Sequence, residues 1–193
     1  MESEADDILV ERAQAGDANA FAELAGRLHE RIYMTILGMT RSSEDADDLT
    51  QETFMAAFKS LRTFRRKSGF YTWVHRIAVN RTLNHLKRKG REKARAPFED
   101  GDAVLDKGGY AALTPESGSA GRELAGRLET AIDQLRPVYR AAFSLVAVQG
   151  LSHAQAAEAL GCSESTVSWR MHKARKMLQA KLEPYLTEAR DEM

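Results

Sequence analysis

The sequence predicts an all-α protein made of two small helical domains. Apolar residues recur three and four positions apart through most of the chain, which is the spacing of one face of an α-helix. A helix-turn-helix is indicated near the C-terminus. There Ser152 and Gln155 form a capping box, Gly161 ends the first helix, and Ser163 can cap the second.

The charge distribution also divides the chain. The formal net charge is zero, but residues 1–60 carry 5 basic and 13 acidic groups, whereas residues 61–96 carry 12 basic groups and 1 acidic group. Residues 97–123 carry 2 basic and 6 acidic groups, and residues 124–193 are nearly balanced, with 9 basic and 8 acidic groups. A local excess of cations of this kind is typical of a polyanion-binding surface.

Caps and apolar spacing predict the first three helices. Residues 4–15 begin with acidic side chains, which suit a helix N-terminus, and Gly16 follows them. Asp17 can cap a second helix with an apolar face formed by Phe21, Leu24, Leu28, Ile32, Ile36 and Met39. Ser42 or Ser43 can cap a third helix, EDADDLTQETFMAAFKSL.

The third helix carries an acidic stripe. A rotation of about 100° per residue places Asp45, Asp48 and Glu52 on one side, opposite Leu49 and the apolar positions. A solvated face, a docking face for a basic partner and a metal-dependent nuclease site are the three interpretations. No histidine or separated carboxylate completes a metal set, so we predict no metal, no cofactor and no catalytic residue.

Aromatic and basic residues alternate after Leu61. Residues 63–70 lack helical periodicity and are predicted to form a loop, where cations can hold phosphates and rings can stack on unpaired bases. A helix from Tyr71 to about Lys89 then presents a polar stripe: Arg76, Asn80, Asn84 and Lys87, with Trp73, Arg81 and Arg88 beside it. The alternative is a core-packing Trp73 with solvated arginines.

The rest of the chain forms a linker and a second domain. Residues 96–123 are acidic and rich in glycine, and we predict a flexible linker between domains at 1–95 and 124–193. Two helices, 124–135 and 138–148, are separated by Pro137 and complete a four-helix unit with the helix-turn-helix. The polar tail from Glu183 is expected to fray.

The last helix has two distinct faces. Its apolar face, Val167, Met171, Ala174, Leu178 and Leu182, is predicted to pack inward. The opposite face suits a major groove and carries Ser165, Trp169, His172, Lys173 and Lys176, flanked by Arg170 and Arg175. An ordinary helical hairpin with a solvated basic face is the alternative.

Cysteine content and hydropathy indicate the cellular compartment. The single cysteine, Cys162, cannot form an intramolecular disulfide, and we interpret it as a small residue that packs in the turn. No signal peptide or long apolar run is present. We therefore expect a cytoplasmic protein without membrane insertion.

Three motifs, in order, resemble the extracytoplasmic-function (ECF) class of bacterial sigma factors in the sigma-70 family. DADDLTQETFMAAFKSL is similar to the region 2 helix that grips the clamp helices of the RNA polymerase largest subunit. FYTWVHRIAVNRTLNHLKRK is similar to the segment that reads and opens the minus-10 promoter element. LSHAQAAEALGCSESTVSWRMHKARKML resembles region 4, which reads the minus-35 element.

The resemblance implies a role for each matching residue. Polymerase binding falls on Asp45, Asp48, Leu49, Gln51, Glu52 and Phe54. Minus-10 recognition falls on Phe64, Arg65, Lys67, Phe70, Trp73, Arg76, Asn80, Asn84, Lys87 and Arg88. Minus-35 recognition falls on Ser165, Thr166, Ser168, Trp169, Arg170, Lys173 and Arg175. The family often has a basic and then a small residue at Ser168 and Trp169, so promoter specificity is not transferred.

The implied function is promoter recognition and melting for core RNA polymerase. The implied partners are the polymerase clamp helices and flap, promoter DNA, and an anti-sigma factor for which Met55, Phe58 and Trp169 offer exposed apolar surface. An autonomous helix-turn-helix regulator is the alternative function. It would need to dimerise, and no obvious dimer interface is present in the sequence.

Overall fold

The computed structural model describes the backbone of residues 4–95 and 119–191 and the side chains of residues 5–91 and 124–185. The predicted all-α class is confirmed in these ranges. The helices are α1 (Glu4–Gln14), α2 (Ala18–Thr40), α3 (Ser43–Ser60), α4 (Phe70–Arg95), α5 (Ser119–Asp133), α6 (Pro137–Phe143), α7 (His153–Leu160) and α8 (Glu164–Asp191).

The N-terminal half, α1 to α4, folds around one apolar core. The Asp17 carboxylate accepts hydrogen bonds from the amides of Asn19 and Ala20, and the Ser42 hydroxyl accepts one from the amide of Asp45. Both predicted caps are therefore confirmed. The inward faces of the helices supply the core, including Leu24, Ile32, Ile36, Ala46, Leu49 and Val74.

The helix α4 is longer than its sequence pattern indicates. It continues through Gly90 to Arg95, beyond the predicted end near Lys89. Val74, Ala78 and Thr82 are buried along one side. The opposite side is left for polar residues, as the apolar spacing predicts.

The C-terminal half, α5 to α8, begins and ends differently from our prediction. The helix α5 starts at Ser119, so residues 119–123, at the end of the predicted linker, are helical; residues 96–118 of that linker lie outside the described residues. A short π-helical turn, Ser144–Val148, extends α6. The tail that we expected to fray is helical to Asp191, through Pro184.

The two halves dock against each other, which the sequence pattern does not predict. Met39 and Val79 from the N-terminal half lie in the same buried cluster as Leu145 and Leu151 from the C-terminal half. The helix α4 packs against α7, and α2 packs against α6. The described residues therefore form a single packed body.

Candidate nucleic-acid interface

The acidic stripe of α3 is partly neutralised within the chain. The Asp45 carboxylate lies 2.7 Å from Lys89 Nζ and 3.2 Å from His85 Nε2, and Glu52 lies 2.7 Å from Arg81 Nη1. Burial opposes the ionisation of Asp45, but Lys89 and His85 outweigh it and hold the pKa of this carboxyl below its usual range. The outward face of the stripe is left to Asp48, which is exposed.

An apolar groove of about 420 Å³ lies beside this stripe, between α2 and α3. Its lining includes Phe21, His29, Gln51, Phe54, Met55 and Phe58. Met55 and Phe58 are each about half exposed, at 52% and 51%, whereas Leu49 is buried. His29 stacks on Phe54 with 6.1 Å between ring centroids, a contact that helical spacing alone does not reveal.

The loop before α4 holds its aromatic rings inward. Phe64 and Phe70 are only 7% and 5% exposed, and both pack against Trp73, with centroid separations of 4.9 and 5.7 Å. Our expectation that Phe64 and Phe70 are open for base stacking is therefore not met in this structure. The loop has no periodicity from which that burial could be deduced.

The loop is nevertheless confirmed as a loop, and its cations point outward. Arg65 and Lys67 are exposed. Gln14 Nε2 donates to the carbonyls of Leu61 and Phe64, at 3.1 and 2.8 Å, and so ties the loop to α1. Local sequence patterns do not identify Gln14, because its partners are 47 and 50 residues away.

The polar stripe on α4 is intact and open to solvent. All five of its predicted DNA-contacting members are exposed: Arg76, Asn80, Asn84, Lys87 and Arg88. Three of them, Asn80, Asn84 and Arg88, line a groove of about 560 Å³ between α3 and α4 that also contains Glu52. The predicted polymerase face and the predicted minus-10 face therefore meet along this groove.

The helix-turn-helix has the predicted local geometry. The capping box is complete: Gln155 N donates to Ser152 Oγ at 3.2 Å, and Ser152 N donates to Gln155 Oε1 at 2.9 Å. Gly161 ends α7 in the left-handed region, with φ of 61°. The Ser163 hydroxyl accepts a hydrogen bond from Thr166 N at 3.2 Å, which confirms the second cap.

The outer face of α8 brings the predicted minus-35 residues together. Ser165, Ser168, Trp169, Lys173 and Arg175 are exposed, and Thr166 and Arg170 are half-buried.

Three contacts fix side chains on this face. Ser168 Oγ is 2.9 Å from His153 Nδ1, Arg170 Nη1 is 3.8 Å from Cys162 Sγ, and the Trp169 ring packs edge-on against Tyr139 at 5.7 Å. Cys162 thus lies in the turn, beside an arginine. Tyr139 and His153 are positioning residues that the sequence pattern did not single out.

The described residues contain no group of three or more histidine, cysteine or carboxylate side chains placed to hold a metal ion. Two of the three stripe carboxylates, Asp45 and Glu52, pair with basic side chains of α4. In the same part of the chain, no helix has both the length and the hydropathy needed to cross a bilayer.

Comparison with protein families shows which family this chain belongs to. Residues 24–92 match the model for sigma-70 region 2, and residues 125–178 match a model for sigma-70 region 4. The chain belongs to the ECF class of the sigma-70 family.

Curated relatives agree along nearly the whole length of this sigma factor. It is 34% identical to the RNA polymerase sigma-H factor of Pseudomonas aeruginosa over 98% of this chain and all of that protein. It is 36% identical to the ECF RNA polymerase sigma-E factor of Haemophilus influenzae, over 94% of this chain and 97% of the relative. These relatives favour the sigma factor over an autonomous regulator.

A solved structure shares the fold of this sigma factor. CnrH, determined in complex with the cytosolic domain of CnrY, aligns with a TM-score of 0.68 and 26% identity over 94% of this chain and 99% of that chain. Region 2 of the sigma factor spans most of α2, all of α3 and most of α4. Region 4 spans most of α5, all of α6 and α7, and the first half of α8.

Proposed function

We propose that this sigma factor binds core polymerase through the outward face of α3 and recognises promoter DNA through α4 and α8. The observation that carries the proposal is the presence of three chemically distinct surfaces on one chain. An acidic and apolar face lies on α3, and two basic faces lie on α4 and α8. We assign these roles to domains at 1–95 and 124–193, joined by a linker at 96–123 whose last residues, 119–123, form the first turn of α5.

The α3 surface suits a basic, amphipathic partner helix. Asp48, Gln51 and Glu52 supply polar contacts, and the groove beside Phe54 and Met55 can bury apolar side chains. Charge complementarity of this kind fixes register and speeds association. We infer that the clamp helices of the polymerase largest subunit bind here, with Leu49 supporting the surface from within and Asp45 bracing α3 against α4.

The basic surfaces divide promoter recognition between them. The stripe on α4, with Arg65 and Lys67 of the loop, contacts the minus-10 element, while the outer face of α8 lies in the major groove of the minus-35 element. Phe64 and Phe70 then act by shaping the loop, with Trp73 as the half-buried ring between them. Region 4 also meets the polymerase flap.

Promoter opening by this sigma factor involves no bond chemistry, and no cofactor or metal is proposed. Unpairing and flipping a base costs a few kcal/mol, and stacking on an aromatic ring returns roughly 1–3 kcal/mol per base. Phosphate contacts from the exposed cations supply further binding free energy. We place this activity in the cytoplasm, where polymerase and DNA are found.

An anti-sigma factor is the regulator that best fits the remaining exposed surface. Met55 and Phe58 lie on α3 and Trp169 lies on α8, and all three are about half exposed. CnrH was solved with a second protein, the cytosolic domain of CnrY. We infer that a partner of this kind covers the α3 groove and thereby competes with polymerase.

The first test mixes the purified protein with sigma-free core polymerase and measures co-elution and promoter-dependent transcription. Asp48→Arg is expected to abolish both, because it reverses charge on the exposed α3 face. Glu158→Arg makes the same charge change on the exposed side of α7 and is the matched control, with co-elution unchanged. DNA binding without co-elution would refute the proposed binding to core polymerase.

A second test concerns Trp73. We expect Trp73→Ala to weaken open-complex formation, measured by permanganate footprinting, more than duplex binding, measured by gel shift. An equal loss in the two assays would show that the indole only stabilises the loop.

A further inference from the structure

The interface between regions 2 and 4 has an ionic centre. Arg41 lies at the C-cap of α2 with φ of 60°, and its side chain is almost entirely buried. Its Nη2 lies 3.2 Å from the Glu129 carboxylate, and its Nε pairs with Asp133. Both carboxylates belong to α5, so a buried cation of region 2 is bound by two anions of region 4.

Further polar contacts cross the same interface. Arg140 Nη1 of α6 donates to the carbonyl of Met39 at 3.1 Å, and Arg31 Nη2 of α2 donates to the carbonyl of Gln149 at 3.1 Å. The Arg31 guanidinium also lies 3.9 Å above the ring of Tyr71. Together with the shared apolar cluster, these contacts make a continuous interface across the two regions.

The docked form cannot bind both promoter elements at once. Elements at minus-10 and minus-35 are about 25 base pairs apart, which is roughly 85 Å along B-form DNA at about 3.4 Å per base pair. A compact body of about 165 residues is roughly 40 Å across. Because α4 packs against α7, the two DNA surfaces of one docked molecule lie within that smaller span.

The chain between the regions is long enough to permit separation. Residues 96–118 can reach up to roughly 80 Å when fully extended, at about 3.5 Å per residue. Opening of the interface would therefore bring the DNA surfaces to the promoter spacing without unfolding either region.

We propose that Arg41, with Glu129 and Asp133, is a latch that holds region 4 on region 2, and that the latch must open before both promoter elements are bound. The docking face of region 2 is thus covered by region 4 of the same chain. Removing one partner of a buried ion pair leaves the other charge without compensation, so loss of Arg41 shifts the equilibrium to the open form. The promoter consequence rests on the proposed function, but the latch itself does not.

The test measures the distance between the regions in the free, full-length protein. Spin labels are attached at Ala22→Cys on α2 and Ala180→Cys on α8, both exposed positions, in a Cys162→Ser background. Double electron–electron resonance is expected to give one distance below about 50 Å for the latched protein. Arg41→Asn, which tolerates a positive φ, is expected to give a broad distribution of longer distances.

Two variants keep this result interpretable. Asp133→Asn removes charge from the other side of the latch at constant shape and is expected to lengthen the distance as well, with helical content by circular dichroism unchanged. Arg62→Gln removes an exposed arginine of region 2 and should leave the short distance in place. The proposal would be overturned by long distances in the labelled protein that keeps Arg41 and Asp133. It would also be overturned by a short distance in both Arg41→Asn and Asp133→Asn.

Transcription supplies an independent readout. With sigma-free core polymerase and a promoter carrying both elements, we expect Arg41→Asn to lower the sigma concentration for half-maximal transcription about fivefold or more, because less of the protein is closed. If no variant binds polymerase, the proposed function fails, yet the distance measurement still decides the latch. The Arg41→Asn protein could show long distances and still need the same concentration for half-maximal transcription. That result would refute the claim that the latch limits initiation.

Discussion

Phe64 and Arg65 are adjacent in the chain and have opposite environments. The Phe64 ring is buried against Phe70 and Trp73, whereas Arg65 is exposed. One residue therefore stabilises the loop, and the other is available to a phosphate. Their spacing does not reveal this difference, because the loop has no helical period.

Replacement of these two residues separates stability from DNA binding. We expect Phe64→Ala to lower the free energy of unfolding by about 3 kcal/mol, because a buried ring is lost and a cavity remains. Arg65→Ala should leave the urea midpoint unchanged and weaken binding to a minus-10 single strand. Equal urea midpoints for the two variants would contradict the packing role of Phe64.

His75 is a second residue whose environment sets a measurable property. It is fully buried, its Nδ1 donates to the Tyr71 carbonyl, and its Nε2 lies 3.1 Å from Thr35 Oγ1. Burial and, to a smaller extent, the nearby charge of Arg31 lower the pKa of its imidazole to about 4, despite the hydrogen bond to the Tyr71 carbonyl. The folded protein therefore holds this side chain neutral at pH values where the unfolded chain protonates it.

This histidine predicts a dependence of stability on pH. Its folded pKa is below the unfolded value of about 6.5, so the unfolded state binds more protons as the pH falls, and stability decreases. Between pH 7.5 and 5.5 we expect the free energy of unfolding to fall by about 1 kcal/mol from this group. In urea titrations His75→Gln should remove that part of the slope. His172→Gln, at an exposed position, should retain it.

At the scale of the element, helix caps are where local sequence decides structure. The Ser152 and Gln155 box, the Asp17 cap and the left-handed Gly161 all form as predicted, because each depends on residues within four positions. Helix ends without a strong signal were less predictable. The helix α4 passes through Gly90, and α5 begins at Ser119, inside a segment of glycine-rich composition.

The capping box gives a direct test of this local control. We expect Ser152→Ala to reduce the free energy of unfolding by about 1 kcal/mol, because the amide of Gln155 loses its acceptor. Gln155→Glu preserves the reciprocal bond and should be close to neutral. The readout is the urea midpoint, and a Ser152→Ala protein as stable as the parent would show that the box contributes nothing.

At the scale of the whole molecule, the sequence predicts the parts better than their assembly. Apolar periodicity identifies the inward faces of α2, α3 and α4, since burial repeats with the helix. It does not reveal that Met39 and Val79 share a cluster with Leu145, because that depends on tertiary placement. For the same reason, the positions of Asp45 and Glu52 on α3 do not reveal that they pair with Lys89 and Arg81 of α4.

The shared cluster predicts cooperative unfolding of the two regions. Trp73 reports on region 2 and Trp169 on region 4, so the variants Trp73→Phe and Trp169→Phe each leave one fluorophore. We expect both to give the same urea midpoint, and Val79→Ala to lower the midpoint measured with either. Different midpoints for the two single-tryptophan variants, with Val79 unchanged, would mean that the regions unfold independently.

The ion pairs from α3 to α4 also link two binding events. Glu52 pairs with Arg81, and Asp45 pairs with Lys89; both cations lie beside the proposed DNA-binding surface of α4. A basic partner on α3 would compete for the exposed Glu52 carboxylate and so release Arg81 for phosphates. By thermodynamic reciprocity, whatever polymerase adds to DNA affinity, DNA returns to polymerase affinity. We therefore expect the free protein, which has no net charge, to bind non-specific DNA weakly until it binds core polymerase.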